Sequence, residues 1–197
     1  YKDLTGEGEV TPGASTLENH GDLKRIGNNS PRYRVGLNLD AAWKGIDFSI
    51  FFQGVLKRDW MFDAGDPYFW GAGSGMWQAA CFEEHMDYWT PENTDAYYPK
   101  PYFNETKNQQ AQDAYMQKAS YLRCKNIQLG YTLPTHITEK AGISNCRIYL
   151  SCDNLFTITG LSSVYDPEAF GSYDGYGTSG KTYPLQRTIS VGVNLNF

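Results

Sequence analysis

Apolar and polar residues alternate with a period of two along five long segments, and this pattern limits the fold more than any other feature of the chain. In residues 32–43 one side carries Tyr33, Val35, Leu37, Leu39, Ala41 and Trp43, and the other carries Arg32, Arg34, Gly36, Asn38, Asp40 and Ala42. Residues 46–58 set Ile46, Phe48, Ile50, Phe52 and Leu56 against Asp47, Ser49, Gln53 and Lys57, with Phe51 and Val55 interrupting the polar side. In 121–133 the apolar positions are Leu122 and Cys124, then Ile127, Leu129, Tyr131 and Leu133. The parity changes across Lys125-Asn126, which predicts a β-bulge there. Segment 145–158 opposes Ile148, Leu150, Cys152, Phe156 and Ile158 to Arg147, Tyr149, Ser151 and Asp153. Segment 187–197 opposes Ile189, Val191, Val193, Leu195 and Phe197 to Thr188, Ser190, Gly192, Asn194 and Asn196.

Such strands run about 11 to 13 residues, against a usual five or six in globular sheets and about 9 to 11 across a bilayer. Their connections alternate in length: a tight Lys44-Gly45 hairpin, a very long loop over 59–119, a short one over 134–144 and a long one over 159–185. Short turns at one rim and long loops at the other are the layout of an outer-membrane barrel. Trp43, Tyr131 and Phe197 would then fall at the short-turn rim, where an interfacial aromatic belt belongs. A soluble β-sandwich, for instance a secreted or surface-anchored glycan-binding module, explains the alternation equally well but not the strand length or the loop asymmetry. The expected fold is all-β: antiparallel up-and-down strands forming part of a transmembrane barrel, with long loops and one short loop helix near 76–89 that ends at Thr90-Pro91.

Composition removes several function classes. The net charge of −5, with basic residues scattered, gives no electrostatic footprint for nucleic acid. No run approaches the ~18 apolar residues of a membrane helix. The mean hydropathy of −0.53 fits a soluble protein or a barrel about equally, because barrel strands carry only the alternating signal. The opening "YKDLTGEGEV" has no apolar leader and no initial Met, so the expectation is a piece of a longer protein. Cys81, Cys124, Cys146 and Cys152 show no CxxC or CxxH spacing and are expected as free thiols, although Cys124 and Cys152 could lie on neighbouring strands. His20, His85 and His136 are isolated, and no serine or cysteine sits in an elbow-type motif, so an enzyme is not expected.

"NNSPRYRVGLNLDAAWKGIDFSIFFQGVLKRDW", "YLRCKNIQLGYTLP", "RIYLSCDNLFTITGL", "DPE" and "YPLQRTISVGVNLNF" follow one another in this order. Together they resemble the C-terminal end of SusC/RagA-type TonB-linked (TonB-dependent) outer-membrane transporters. The resemblance implies a share in a large, 22-stranded transmembrane β-barrel in the cell outer membrane of a Gram-negative bacterium. It further implies TonB as the energy-coupling partner through parts absent here, and a SusD-like surface lipoprotein as a lid. The cargo would be an oligosaccharide or peptide fragment. On that topology residues 1–30, 59–119 and 159–185 are extracellular, 31–58 and 120–158 are transmembrane hairpins in contact with membrane lipid, and 186–197 is the last barrel strand. Lys44-Gly45 and 134–144 become periplasmic turns. Phe197 becomes the terminal aromatic that the outer-membrane assembly machinery reads.

Candidate ligand contacts concentrate in the aromatic loop. Trp60, Tyr68, Phe69, Trp70 and Trp77 could stack on sugars or on a partner, with Asp66 accepting hydroxyl hydrogen bonds. Packing of the loop's own core is the competing reading. Tyr165 and Asp166 would sit over the same rim. "KDLTGEGEV" looks like a worn calcium loop, with Asp3, Thr5 and Glu7 at alternate positions, but Ala14 stands where the closing acid should be, so a Gly-rich turn accounts for it better and no cofactor is expected. Glu83, Glu84, His85 and Asp87 read as solvated helix charges in preference to a metal site. Inward-facing Arg34, Asn38, Asp40, Asp47, Gln53, Arg147 and Asp153 read as wall residues.

Overall fold

A computed structural model describes residues 1–74, 80–102, 107–169 and 183–197. They form one antiparallel meander: β1 (Arg32–Trp43), β2 (Ile46–Lys57), β3 (Asp59–Trp60), β4 (Gln117–Thr132), β5 (Asn145–Asp153), β6 (Thr157–Gly160) and β7 (Thr188–Asn196). The sheet order is β1-β2-β4-β5-β7, with β3 and β6 pairing with β4 beyond the main path. Consecutive long strands are therefore neighbours throughout, as expected.

Turn chemistry fixes the first hairpin. Lys44 and Gly45 both take positive φ (47° and 87°), the backbone of a two-residue turn whose twist matches the flanking strands. Between Trp43 and Ile46 the pairing then starts without a gap. The second short connection holds one helical turn, α1 (Thr135–Thr138), followed by a 3-10 turn at Glu139–Ala141 that Gly142 ends with φ 70°. The predicted bulge is present: Phe51 faces Asn126 and Phe52 faces Cys124, which leaves Lys125 as the extra residue.

Two expectations change. The 145–158 segment is broken in the middle, because Asn154 enters the left-handed region at φ 52° and donates its N–H to the Lys125 carbonyl (3.0 Å). Asn154 thus follows the bulge on β4, and pairing resumes through Leu155 and Phe156 to Cys124. Of the helix expected near 76–89, residues 76–79, and with them Met76 and Trp77, lie outside the described residues. The remainder holds a single 3-10 turn, Glu83–Met86. It cannot continue because Trp89 donates to the Tyr98 carbonyl (2.9 Å) and Tyr98 to that of Asp87 (3.0 Å), which pulls 87–89 into an extended bridge.

Register aligns the apolar residues in rows across the strands: Ile50, Ile127, Cys152 and Ile189; Phe48, Leu129, Leu150 and Val191; Ile46, Tyr131, Ile148 and Val193. Most of these residues are exposed or half-buried, and Cys152 is the buried one among them. Leu37, Leu39, Leu129, Ile148 and Leu150 are exposed, and Val191 is 75% exposed. The apolar core lies instead at the long-loop end, where Trp60, Phe62, Phe69, Trp70, Tyr98, Tyr115, Leu161 and Tyr165 pack together. A sandwich buries its apolar sheet faces against a second sheet; here the face stays bare and the loops carry the core. Trp43 and Tyr131 are exposed at the short-turn end. The cysteines are free thiols, with Cys81 exposed and the others buried.

Candidate functional site

The polar face of the sheet is a wall of matched groups. Arg147 on β5 donates through Nε to Asp47 Oδ1 (2.9 Å), closes a second bond to the same carboxylate, and reaches Gln128 Oε1 (2.9 Å). Its guanidinium also lies over the Tyr149 ring, 4.9 Å from the centroid. Asn38 donates to Asp40, and Asn126 to Asp153 (2.7 Å). The alternation places these residues on one face of the sheet, and they form a hydrogen-bonded lining there.

Nearer the long loops, Arg123 is the anchor. Only 4% exposed, it donates to Thr157 Oγ1 (2.7 Å) and Asp166 Oδ1 (2.7 Å), with Glu168 Oε2 3.4 Å away. Lys125, the bulged residue, donates to Glu168 Oε2 (2.9 Å). Asp166 also accepts the N–H groups of Glu168 (2.9 Å) and Leu185 (3.1 Å). Burial opposes ionisation of Asp166, but these amides and the Arg123 guanidinium together hold its carboxyl below the usual range. "DPE" is thus a clamp that ties its loop to the wall. Sequence reasoning missed Arg123 and Lys125, each of whose carboxylate partners lies 43 residues further along the chain. The signal available was a pair of cations, Arg123 and Lys125, leading into the parity change.

Above the clamp, Asp66 Oδ1 accepts the Tyr165 hydroxyl (2.7 Å) and the N–H groups of Tyr68 (3.0 Å) and Phe69 (2.9 Å). Burial is the main cause that pushes the Asp66 carboxyl above its ordinary value, with these three donors pulling against it. Tyr165 stacks on Phe62 at 4.2 Å between centroids, and Phe62 stacks on Phe69 at 4.6 Å. Glu84 accepts the hydroxyls of Ser162 and Ser163, each at 2.7 Å, and so latches the two long loops together. His85 is buried: Nδ1 accepts from the Phe82 N–H (3.0 Å) and Nε2 faces the Phe69 carbonyl (3.1 Å), which fixes the neutral Nε2–H tautomer. It is a packed loop residue, not the solvated charge expected.

The candidate ligand contacts are therefore brought together, but as the loop's own core. Trp60, Asp66, Phe69, Trp70 and Tyr165 are buried, and Phe69 is 1% exposed, which leaves its ring no free face. The side chain of Asp166 is taken by the clamp, and Tyr68 is partly buried against the core. Composition cannot distinguish aromatic residues that pack against one another from those that await a ligand. Solvent-open aromatics lie elsewhere, with Trp89 and Tyr102 lining a cavity of about 340 Å3 beside Tyr98, Lys100, Asn108 and Gln112. Phe197 follows β7 and is 88% exposed.

In the Gly-rich turn, Asp3 accepts from Gly8 (2.8 Å), Gly6 (2.5 Å) and the Thr5 hydroxyl (3.3 Å), and the amides of Gly8 and Gly6 hold its carboxyl below the usual range. Asp22 gathers the N–H groups of Leu4, Thr5 and Thr11. Both acids serve as folding groups for the turn, and Glu7 is exposed. Among the described residues no group of three or more His, Cys, Asp or Glu side chains could hold a metal ion.

Comparison with known proteins gives the same picture. No protein-family model matches the chain. Over its whole length it is similar to TonB-dependent receptor P3 of Formosa agariphila, 30% identical over 204 positions, and to TonB-dependent receptor P26 of the same bacterium, 26% identical over 204. The chain spans 19% of the length of each. Among solved structures, the RagAB peptide importer in its open-open state superposes with a TM-score of 0.63 at 28% identity, covering 91% of this chain and 18% of that one. The RagAB peptide transporter gives 0.63 at 28% identity, covering 86% and 18%. The resemblance to SusC/RagA-type TonB-dependent transporters holds, and the antiparallel meander has the fold of a barrel segment of that kind.

Proposed function

We propose that this chain supplies wall strands and extracellular loops to a 22-stranded TonB-dependent importer in the outer membrane of a Gram-negative bacterium. The whole protein takes up oligomeric nutrients, peptide or glycan fragments, with a SusD-like lipoprotein seated over the long-loop end. The observation that carries this reading is the bare apolar face. Its rows run unbroken from β2 to β7 while the polar face is lined with matched hydrogen-bonding groups. Lipid solvates the first face, and a water-filled or plugged lumen solvates the second. The strands β1 and β7 form the edges of the sheet and call for further strands on both sides, because unpaired backbone groups are not tolerated in hydrocarbon.

The chemistry is transport, not turnover. The loop core and the "DPE" clamp hold a rigid mouth on the wall. Likeness to the RagAB peptide importer favours a peptide cargo among the oligomers considered. The test is uptake of labelled oligopeptides and oligosaccharides by cells carrying the whole protein, with and without a functional TonB. Energy-dependent accumulation of one class, together with a co-purifying surface lipoprotein, supports the reading. A whole protein recovered in the soluble fraction, with no TonB-dependent uptake, overturns it.

A further inference from the structure

Several carboxylates along the wall are paired with cations, Asp47 with Arg147, Asp166 with Arg123 and Glu168 with Lys125, while Asp40 and Asp153 accept from Asn38 and Asn126. The cations at the long-loop end of β1 have no such acidic partner among the described residues. Arg34 sits opposite Val55, and Arg32 sits opposite Lys57, so three cations share that end of the polar face. All three are exposed, and none forms an ion pair with a described residue. In a chain of net charge −5, an uncompensated basic cluster on the inner wall is a local reversal of sign.

Arg34 also lines a cavity. A space of about 570 Å3 lies between Arg34, Gln53, Arg58, Tyr121, Pro167 and Glu168. Glu168, the acid among its described lining residues, does not answer Arg34, because its carboxylate is held by Lys125 at 2.9 Å and Arg123 at 3.4 Å. Arg58 is held in place, donating to the Asn29 carbonyl (3.0 Å) with its guanidinium 4.8 Å from the Trp60 ring centroid. A guanidinium open to a cleft presents a planar fork of donors that fits a carboxylate with two parallel bonds. Gln53 offers an amide to neighbouring polar atoms, the Tyr121 hydroxyl faces Glu168, and Phe51 and Val55 give the cleft an apolar side. Apolar walls beside the Arg34 guanidinium lower the local dielectric and strengthen the attraction.

We propose that this cavity is a subsite for a carboxylate-bearing part of the cargo, gripped by Arg34. The inference rests on the import reading, which places this face along the cargo's path. The carboxylate belongs either to a peptide or to a uronic acid, and matched probes separate the two sources. The purified whole transporter with its lipoprotein is titrated with a hexapeptide acid and its amide, and with an oligogalacturonate and its methyl ester. One carboxylate probe binds more tightly than its neutral twin, by about tenfold for one charged hydrogen-bonded contact. Arg34→Gln erases that preference without changing the neutral twin's affinity, and Arg34→Lys restores part of it. The subsite is overturned if no carboxylate preference exists, or if Arg34→Gln weakens both members of a pair equally. Failure of the import reading shows up separately, as a protein that does not enter the membrane.

Discussion

Arg147 on β5 grips the Asp47 carboxylate on β2 across the intervening strand, passing over Gly130. A Cβ at Gly130 would meet both the Asp47 carboxylate and the Arg147 guanidinium, which is why the position carries no side chain. Gly130→Val therefore forces the pair apart and strains β4, at a cost of about 1 to 3 kcal/mol for overpacking. The readout is the heat-modifiable gel shift of the whole barrel: the folded fraction falls. Adding Arg147→Ser to Gly130→Val removes one of the clashing groups, so the double variant loses less than the two single losses combined.

The loops carry carboxylates that titrate in opposite senses. The Asp66 carboxyl is raised, chiefly by burial, so its neutral form is favoured in the folded loop. Between the ordinary carboxylate value and that raised one the folded state holds the extra proton, and loop stability falls as pH rises. Asp166 is lowered, so its contribution is present above the ordinary value and is lost as pH falls through the lowered one. Hydrogen exchange of residues 161–169 against pH should show both limbs. Asp66→Asn flattens the upper limb and Asp166→Asn the lower; unchanged profiles would contradict the assignment.

Arg123→Met leaves the Asp166 and Glu168 carboxylates short of a cation in a dry site. Loss of one partner from a buried pair costs about 3 kcal/mol. Proteases should then cut between residues 161 and 169 at far lower concentration, while the strands stay protected.

How much of this was legible in the sequence depended on the kind of signal. The limits of β1 and the bulge at Lys125 follow from parity, which a strand imposes on every residue. The break at Asn154 follows from one backbone angle, and alternation carries no mark of it. The aromatic loop was visible as a cluster, but its packing was not. Asp66 against Tyr165 is a long-range pair, and neither it nor the stacking of Phe69 on Phe62 is encoded in composition. The shortening of the expected helix to one 3-10 turn at Glu83–Met86 has a similar cause: Tyr98, bridged to Tyr88, decides the backbone beyond the turn.

Val193 on the apolar face and Asn194 on the polar face differ only in which side of β7 they occupy. On the proposed membrane topology, Val193→Arg should place a charge toward lipid and cost about 2 to 4 kcal/mol near the bilayer midplane. On the same topology Asn194→Arg should face the lumen and be tolerated. Folded yield of the two variants in outer membranes checks the difference.

The most direct measurement is a spin-label scan along β7 of the whole protein in bilayers, with oxygen and a water-soluble nickel chelate as collision partners. Labels at 189, 191, 193 and 195 should collide with oxygen and be shielded from nickel, while labels at 188, 190 and 194 show the reverse. An equal response at odd and even positions, or oxygen access on the even set, would contradict a lipid-facing apolar side.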